Sequence, residues 1–352
     1  MELIFSAAVL VLIFYILAIL CDEYFVPSLD IMAKRLRMSS DVAGATLMAV
    51  GSSAPELFTS LFAILRPGDT ANVGAGTIVG SAIFNILVII GASAMYKRAK
   101  LTWQPVVRDM LFYVVSILAL LWAFWDGRVV LHEALGFVLL YVVYIVAVIY
   151  WKKILPYNDV NPIQVLEEGE KKMGGIHALA RTILSYVIPN CQKNPKQYVA
   201  TFLISIAGLA GLSYVLVETA VHMAGILNIN PTIVALTVLA AGTSIPDLMS
   251  SIIVAKQGRG DMAVSNAVGS NIFDILFCLG FPWLILIAIN GGSISVQTEN
   301  LTSSVLLLFA TVLSILFILV VRKWWIGRKS GIVLILAYLA YLVYIILPTI
   351  RF

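Results

Sequence analysis

The segment 231–255, PTIVALTVLAAGTSIPDLMSSIIVA, is long and apolar enough to cross a membrane, yet Pro246 and Asp247 stand near its middle. Proline removes one backbone donor and clashes with the carbonyl group four residues earlier, here that of Gly242. An aspartate at the centre of a membrane helix costs about 2.5–3.5 kcal/mol. These residues therefore predict a helix broken near the bilayer midplane, with its carbonyl groups facing a polar interior rather than lipid.

The composition of the chain indicates a polytopic membrane protein. Of the 352 residues, 61% are hydrophobic and only 12% are charged, which excludes an ordinary soluble domain. The first apolar run lacks a small-residue cleavage site, so we interpret it as a membrane helix. The three cysteines and three histidines lack zinc or redox spacing, so we expect neither a disulfide framework nor a transition-metal site.

Apolar stretches long enough to span a bilayer recur along almost the whole chain. We predict an all-α integral membrane protein with ten transmembrane helices, of which spans 2 and 7 are broken. A polar segment at 152–197 separates a first five-helix repeat (1–151) from a second, inverted one (198–352). The predicted spans lie near 2–24, 40–65, 72–95, 104–125, 129–151, 198–223, 231–255, 262–288, 299–321 and 330–349.

The distribution of positive charge predicts the orientation of these spans. All but three of the 23 Lys and Arg residues lie in or near the loops that follow odd-numbered spans, the exceptions being Arg66, Arg128 and Arg351. The positive-inside rule places such loops in the cytoplasm. We therefore predict that both termini are extracytoplasmic and that 152–197 is cytoplasmic. The apolar spacing of 176–188 predicts a helix on the membrane surface within that loop.

Two motifs recur in the same order in both halves. GSSAPELFTS (51–60) matches GTSIPDLMSS (242–251), and VGSAIFNIL (79–87) matches VGSNIFDIL (268–276). Because each predicted repeat has five spans, equivalent helices point in opposite directions, as in the inverted repeats of many secondary transporters.

The two motifs carry oxygen donors and acids. Pro55 repeats the effect of Pro246, and Glu56 and Asp247 follow the two prolines directly. Asn85 and Asp274 close the second motif of each half. The hydroxyl groups beside the prolines belong to Ser52, Ser53, Thr243 and Ser244. A site of oxygens alone with three carboxylates suits hard cations such as calcium or sodium, which would also offset the charge of buried acids.

The motifs resemble those of the potassium-dependent sodium/calcium exchangers, a family within the cation/calcium exchanger superfamily. GATLMAVGSSAPELFTS (44–60) with GAGTIVGSAIFNIL (74–87) resembles its first alpha-repeat, and the segment LTVLAAGTSIPDLMSSIIVAKQGRGDMAVSNAVGSNIFDIL (236–276) resembles its second. The family is one of antiporters that exchange sodium for calcium with potassium by alternating access. The resemblance therefore implies antiport without enzyme activity or a cofactor, with sodium, calcium and potassium as transported ions.

The resemblance also implies roles for individual residues. Glu56 and Asp247 correspond to central calcium and sodium ligands, and Asn85 to a further one. Asp274 corresponds to a ligand that is linked with potassium, and Asn271 to its asparagine neighbour. The other implied ligands are side-chain or backbone oxygens of Ser52, Ser53, Ser81, Thr243, Ser244 and Ser270 and the carbonyl oxygens of Ala49 and Ala240.

Four alternatives remain at the level of sequence. A potassium-independent sodium/calcium exchanger differs chiefly at Asp274, and some members of that branch keep the acid. A proton/calcium exchanger usually has a histidine in the motif, and neither motif contains one. A simple cation channel makes less use of broken helices in an inverted repeat. An intramembrane aspartyl protease requires GRGD (258–261) inside a span, whereas its neighbours Lys256 and Gln257 place it in a short loop.

These considerations define the expected surroundings of the chain. We predict an integral protein of the cell membrane, whose partners are the lipid bilayer and small inorganic cations. The motifs give no sign of a nucleic-acid partner or of an obligate protein partner.

Overall fold

The architecture of the chain is given by a computed structural model. The ranges that the structure describes are 1–36, 46, 49–66, 71–96, 98–156, 175–256, 260–296 and 298–350.

Helices make up nearly all of the described N-terminal half. Two of the elements are π-helical turns within longer helices, and they are labelled π1 and π2. In chain order the elements are α1 (Glu2–Leu20), π1 (Cys21–Phe25), α2 (Val26–Arg35), α3 (Ala49–Ser52), α4 (Ala54–Leu65), α5 (Ala71–Phe84), π2 (Asn85–Ile89), α6 (Ile90–Tyr96), β1 (Ala99–Lys100), α7 (Trp103–Ala123), β2 (Arg128–Val129) and α8 (Leu131–Ile154).

The described C-terminal part follows a similar plan. Its elements are α9 (Gly175–Val187), a 3₁₀ turn (Pro195–Gln197), α10 (Tyr198–Leu227), α11 (Pro231–Val234), π3 (Ala235–Leu239), α12 (Ala240–Thr243), α13 (Ile245–Lys256), α14 (Gly260–Phe273), π4 (Asp274–Leu279), α15 (Gly280–Asn290), β3 (Ile294–Ser295), α16 (Thr298–Val321), β4 (Trp325–Ile326) and α17 (Arg328–Ile350).

Eight helices in the described part of the chain are long and apolar enough to cross a membrane. They cover Glu2–Leu29, Ala71–Tyr96, Trp103–Ala123, Leu131–Trp151, Pro195–Leu227, Ala263–Asn290, Leu301–Val321 and Arg328–Leu347. Two shorter apolar helices, Ala54–Leu65 and Pro231–Thr243, fall within the predicted second and seventh spans. The chain is thus an all-helical integral membrane protein, apart from four strands of two residues each in the described ranges.

The predicted interruptions are present, and each is one residue long. Ser53 lies between α3 and α4 with φ −93° and ψ 12°, and Ser244 lies between α12 and α13 with φ −83° and ψ 5°. Hydrogen bonds still cross both points. The amides of Ser53 and Leu57 at the first interruption, and those of Ser244 and Leu248 at the second, donate to the carbonyl oxygens four residues earlier. The proline therefore bends the helix and frees one carbonyl group, instead of unwinding a whole turn.

The first helix extends beyond the expected boundary near residue 24. It continues through π1 into α2 and ends at Arg35. Pro27 stands just after π1 inside this continuous helix, and because proline has no backbone N–H, a carbonyl group of the preceding turn lacks its helical hydrogen bond. The predicted boundary was placed where the run of hydrophobic residues ends, but the helix continues beyond it into a more polar sequence.

Packing brings the two halves of the chain together. Helix α5 packs against π3 and α12, and α4 packs against π4. Strand β1 pairs with β4 and β2 pairs with β3, both antiparallel, so each ladder also joins the two halves. Gly80 makes the contact of α5 with π3 possible, because a Cβ there would overlap the Leu236 carbonyl oxygen and the Ala240 Cβ.

Candidate cation site

The predicted ligand residues lie in the protein interior, on the two interrupted helices and the two helices that carry the second motif. Glu56, Asn85, Asp247, Asn271 and Asp274 are all 0% exposed. The remaining predicted residues are buried as well, and they are Ala49, Ser52, Ser53, Ser81, Ala240, Thr243, Ser244 and Ser270. Polar groups buried to this extent require hydrogen-bond partners or a bound ion.

Ser244, at the second interruption, joins the two halves. Its hydroxyl Oγ lies 2.7 Å from Ser81 Oγ on α5 and donates to Glu56 Oε1 at 3.3 Å. The Thr243 side chain also approaches the Glu56 carboxylate. The carboxylate that follows the first proline is therefore held by hydroxyl groups beside the second proline.

Asn85 makes the reciprocal link to the acid of the other half. Its amide Nδ2 lies 2.8 Å from Asn271 Oδ1, 3.4 Å from Asp247 Oδ2 and 3.5 Å from Ser270 Oγ. The side chain of Ser52 also faces Asp247. The Asn85 oxygen Oδ1 is buried and makes no hydrogen bond within the described structure. It is therefore directly available as an oxygen ligand.

Asn271 is held more rigidly than the sequence indicated. Its amide Nδ2 donates to Tyr113 Oη at 2.9 Å and to the Ala82 carbonyl at 3.1 Å, while Oδ1 accepts from Asn85. Both amide protons are therefore used, and one lone pair on Oδ1 remains. Sequence reasoning missed Tyr113, because a tyrosine within an apolar span carries no signal that distinguishes it from a core residue.

Asp274 begins the turn π4 and faces the first interruption. The Cys278 thiol lies 3.7 Å from Asp274 Oδ1 and 3.9 Å from the Ser53 carbonyl oxygen. The Ser53 side chain also approaches the Asp274 carboxylate, and Asp274 Oδ2 and Ser53 Oγ are both buried. Cys278 was not predicted as part of the site because it lies beyond the motif, although its spacing of four residues from Asp274 places both side chains on one face of a helix.

The predicted backbone ligands already accept hydrogen bonds. The Ala49 carbonyl accepts from the Ser53 amide at 3.0 Å, and the Ala240 carbonyl accepts from the Ser244 amide at 3.4 Å. Each carbonyl has a second lone pair for a cation. The Gly51 carbonyl lacks its helical partner because Pro55 has no backbone N–H. It accepts a hydrogen bond from the Cys21 thiol at 3.5 Å, a contact that the sequence did not predict.

The acids do not converge into a compact cluster. In the ranges that the structure describes, no three His, Cys, Asp or Glu side chains form a metal-binding group. The three carboxylates nevertheless repel one another, Glu56 with Asp247 and Asp274 with both. Hydroxyl and amide groups lie between them. The result is an oxygen-rich interior with three carboxyl groups. Its oxygens, among them the buried Glu56 Oε2, Asn85 Oδ1 and Asp274 Oδ2, are of the kind that hard cations prefer.

A separate cavity opens at one end of these helices. It has a volume of about 220 Å³ and is lined in part by Ile64 at the end of α4, Ala71 at the start of α5 and Asn290 at the end of α15. It includes none of the predicted ligand residues, which are closed from solvent.

Comparison with known families settles the class of protein. The family described as sodium/calcium exchanger protein matches residues 6–150 and 197–347. The chain belongs to that family. Its members are ion transporters rather than enzymes, so the class indicated by the motifs is confirmed, as is the absence of a cofactor.

Curated relatives match the potassium-dependent branch by name. Sodium/potassium/calcium exchanger 5 of Homo sapiens is 32% identical, over 94% of this chain and 80% of that protein. Sodium/potassium/calcium exchanger 4 of Homo sapiens is 29% identical, over 95% of this chain and 79% of that protein. Exchanger 2 of Gallus gallus is 30% identical, over 95% and 76%. The resemblance inferred from the motifs is thereby confirmed.

Solved structures share the fold. The sodium-calcium exchanger NCX_Mj has a TM-score of 0.60 at 22% identity and covers 99% of this chain and 100% of its own. The H+/Ca2+ exchanger CAX has a TM-score of 0.68 at 17% identity, over 97% and 81%. At these identities the likeness concerns the fold alone.

Proposed function

We propose that the chain is a secondary antiporter that exchanges sodium for calcium and carries potassium together with calcium. The observation that carries this proposal is the crossed arrangement of the two acids. Glu56 is contacted by Ser244 from the other half, and Asp247 is contacted by Asn85. Membership of the sodium/calcium exchanger family and relatives named sodium/potassium/calcium exchangers support the same function.

Glu56 and Asp247 are the proposed central ligands for calcium and sodium. Calcium accepts six to eight oxygens in irregular geometry, and the surroundings of the two acids offer hydroxyl, amide and carbonyl oxygens from both halves. Further proposed ligands are Asn85, Asp274, Ser52, Ser53, Ser81, Thr243, Ser244, Ser270 and the carbonyl groups of Ala49 and Ala240.

Asp274 and Asn271 are the proposed potassium ligands. Asp274 keeps one buried oxygen without a hydrogen bond, and its repulsion by Glu56 and Asp247 favours an additional cation. With all three acids ionised the empty site carries three negative charges. One calcium ion and one potassium ion neutralise it, and several sodium ions do so as well. A partly loaded site keeps net charge, which opposes closure in a medium of low dielectric constant.

The proposed topology is ten membrane spans in two inverted repeats, 1–151 and 198–352, joined by the loop 152–197. The eight long helices together with the shorter ones at Ala54–Leu65 and Pro231–Thr243 support the count of ten. We place both termini outside and the loop in the cytoplasm of a cell membrane, on the basis of the Lys and Arg distribution. The partners in this proposal are lipid and small cations.

The experiment uses the purified protein in sealed vesicles loaded with sodium. Uptake of radioactive calcium is measured with and without external potassium, while ionophores clamp the proton gradient. We expect uptake that requires internal sodium and increases with external potassium. Matched vesicles loaded with choline are the control for leakage, and uptake in them should stay at background.

Two outcomes separate the rival functions. Calcium uptake that is independent of internal sodium and is driven by an imposed proton gradient would overturn the proposal in favour of proton/calcium exchange. Sodium-driven uptake that is indifferent to potassium would remove potassium from the proposal and leave sodium/calcium exchange.

A further inference from the structure

Cationic side chains from two distant parts of the sequence converge on the short ladder of β1 and β4. Strand β1 lies between α6 and α7, and β4 lies between α16 and α17. The antiparallel pairing sets Lys100 directly opposite Trp325. Six exposed side chains on or beside the two strands form what we call the basic patch, and they are Arg98, Lys100, Arg322, Lys323, Arg328 and Lys329.

The charge of the basic patch is not neutralised by neighbouring acids. Neither 97–107 nor 320–350 contains an aspartate or a glutamate. Among the residues that the structure describes, no ion pair includes a member of the patch. Like charges gathered at one place repel one another. Bound anions would offset that repulsion, so the patch has the electrostatic character of an anion-binding surface.

Aromatic side chains are interleaved with these cations. The guanidinium carbon of Arg98 lies 4.5 Å from the centroid of the Trp325 ring. Tyr96 and Trp103, on either side of β1, are 56% and 44% exposed. Exposed tryptophan and tyrosine at the ends of membrane helices are typical of the boundary between hydrocarbon and water. The patch therefore lies at the depth of the lipid headgroups.

The turn that carries part of the patch has a fixed backbone. Lys323 and Trp324 have φ values of 50° and 65°, a left-handed conformation in which glycine is usually found at the end of a helix. The Trp324 amide donates to the Leu319 carbonyl at 2.7 Å, and its carbonyl accepts from the Leu101 amide at 2.9 Å. A lysine therefore stands at a position that favours glycine, in a turn held by hydrogen bonds on both sides.

The second ladder of the molecule shows that this fold does not require a cationic cluster. Strands β2 and β3 pair in the same antiparallel manner. The segments 126–130 and 291–296 around them carry one cation, Arg128, and one acid, Asp126, whose carboxylate accepts from the Arg128 amide. The positive-inside rule explains why cations occur in the loops of β1 and β4. It does not explain their convergence from two loops onto one ladder.

We propose that the basic patch on the β1–β4 ladder is a binding surface for anionic phospholipids, which it recognises through their phosphate headgroups. Clusters of four to eight Lys and Arg residues next to membrane helices attract such lipids, and the aromatic rings suit the adjoining glycerol and acyl region. A lipid bound there contacts loops from both halves of the chain. The surface does not depend on the proposed transport function, although its assignment to the cytoplasmic leaflet rests on the proposed orientation.

The test titrates phosphatidylglycerol into the purified full-length protein in detergent and measures bound lipid by native mass spectrometry. Phosphatidylcholine with the same acyl chains is the neutral comparison. We expect the wild-type protein to bind phosphatidylglycerol at least about tenfold more tightly than phosphatidylcholine. The triple variant Lys323→Gln, Arg328→Gln, Lys329→Gln should lose this preference. Equal affinity of the wild-type protein for the two lipids would overturn the proposal.

A matched variant separates the patch from net charge. Lys34→Gln, Lys153→Gln and Lys193→Gln together remove the same three charges from exposed lysines on α2, on α8 and between α9 and the 3₁₀ turn. This variant should keep the wild-type preference for phosphatidylglycerol. An equal loss in both triple variants would show that the lipid responds to the charge of the whole protein, and the patch would then not be a site.

Two further measurements complete the test. Lys100→Gln changes one exposed side chain on the opposite strand and should weaken phosphatidylglycerol binding about fivefold. This variant decides the question if the patch triple variant does not fold, and wild-type affinity in it would then overturn the proposal. Inorganic phosphate that displaces the lipid at the concentration at which the lipid itself binds would overturn a lipid as the ligand. Because no transport step is measured, failure of the exchanger function would leave these results unchanged.

Discussion

The segments VGSAIFNIL (79–87) and VGSNIFDIL (268–276) have almost the same sequence and very different surroundings. Both lie on buried helices, and in both a π turn begins at the polar residue, Asn85 or Asp274. In the first segment, a Cβ added at Gly80 would overlap the Leu236 carbonyl oxygen. Among the residues that the structure describes, an added Cβ at its counterpart Gly269 would meet the Tyr144 hydroxyl, at 3.7 Å. Within those residues the motif therefore forms its close backbone contact at Gly80, while the part of the second predicted span that matches Leu236 lies outside the described ranges.

The polar residues of the two segments differ in the same way. Asn85 donates to two groups of the other half, Asn271 Oδ1 and Asp247 Oδ2. Asp274 contacts the thiol of Cys278 and keeps one oxygen without a hydrogen bond. A neutral amide ties the halves together in the first segment, and a carboxylate is left for a cation in the second. The two nearly identical segments thus place a hydrogen-bonded amide on one side of the site and an acid, the proposed cation ligand, on the other.

The largest effect is expected from the two acids that both segments surround. Asp247→Asn and Glu56→Gln each remove a charge next to the bound cation, which costs about 3 kcal/mol. Sodium-driven calcium uptake should therefore fall at least about 100-fold in reconstituted vesicles. Glu23→Gln makes the same chemical change outside the site and should retain uptake. Wild-type uptake rates in both site variants, with equal amounts of folded protein, would show that neither acid is a ligand of the transported cation.

The paired glycines test the difference in packing directly. Gly80→Ala forces a methyl group against backbone and should lower the free energy of unfolding by about 1–3 kcal/mol. Gly269→Ala adds the same methyl group at a position where the described residues leave room, and it should change the free energy of unfolding by less than about 0.5 kcal/mol. Thermal unfolding of the two variants in detergent measures the contrast. Equal losses would mean that the two helices pack alike.

Exchange of the polar residues tests their division of roles. Asp274→Asn gives the second segment the amide of the first and removes the proposed potassium ligand. Calcium uptake with potassium and without it should then become equal, while the requirement for sodium persists. Asn271→Gln, which keeps the amide but lengthens the side chain, should weaken potassium stimulation less. Full potassium stimulation in Asp274→Asn would contradict the assignment.

The two serines at the interruptions should differ by a smaller amount. Ser244 Oγ bonds Ser81 and Glu56, so Ser244→Ala should cost about 1 kcal/mol of stability. Ser53 Oγ is buried and its side chain approaches the single acid Asp274, so Ser53→Ala should cost less stability than Ser244→Ala and should alter cation affinity. Unfolding curves and calcium titrations on both variants separate these effects. Destabilisation of Ser53→Ala by as much as Ser244→Ala would show that the asymmetry is absent.

The smallest effect is expected at the pair that joins the first helix to α9. Glu23 accepts from Arg181 at 2.9 Å, and the Arg181 side chain is 55% exposed. An exposed ion pair contributes between about 0 and 1 kcal/mol, so Glu23→Gln should barely change the melting temperature. A melting measurement at low and high salt checks this. A loss as large as that of Gly80→Ala would make this contact part of the structural core.

Much of the architecture could be predicted from the sequence, for identifiable reasons. Apolar run length defines membrane helices, and proline beside glycine defines their interruption, so the breaks at Ser53 and Ser244 were located to within a residue or two. The helix predicted at 176–188 is present as Gly175–Val187. The π turns were not predicted, because an extra residue in a helical turn leaves no mark on the hydrophobic pattern.

The sequence predicted which residues belong to the candidate site, but it did not predict the hydrogen bonds among them. Repetition of the motifs identified the acids and their hydroxyl neighbours. The contacts of Tyr113 with Asn271 and of Cys21 with Gly51 join segments far apart in sequence. Sequence spacing alone carries no information on such contacts.

The central claim is that the two interrupted helices build one cation site around Glu56 and Asp247. Calorimetric titration of calcium into the purified protein, with and without sodium, tests it most directly because no transport step is involved. The account predicts that the wild-type protein binds calcium, that sodium suppresses this binding, and that Glu56→Gln and Asp247→Asn each abolish it. Calcium binding of wild-type affinity in both variants would contradict the account.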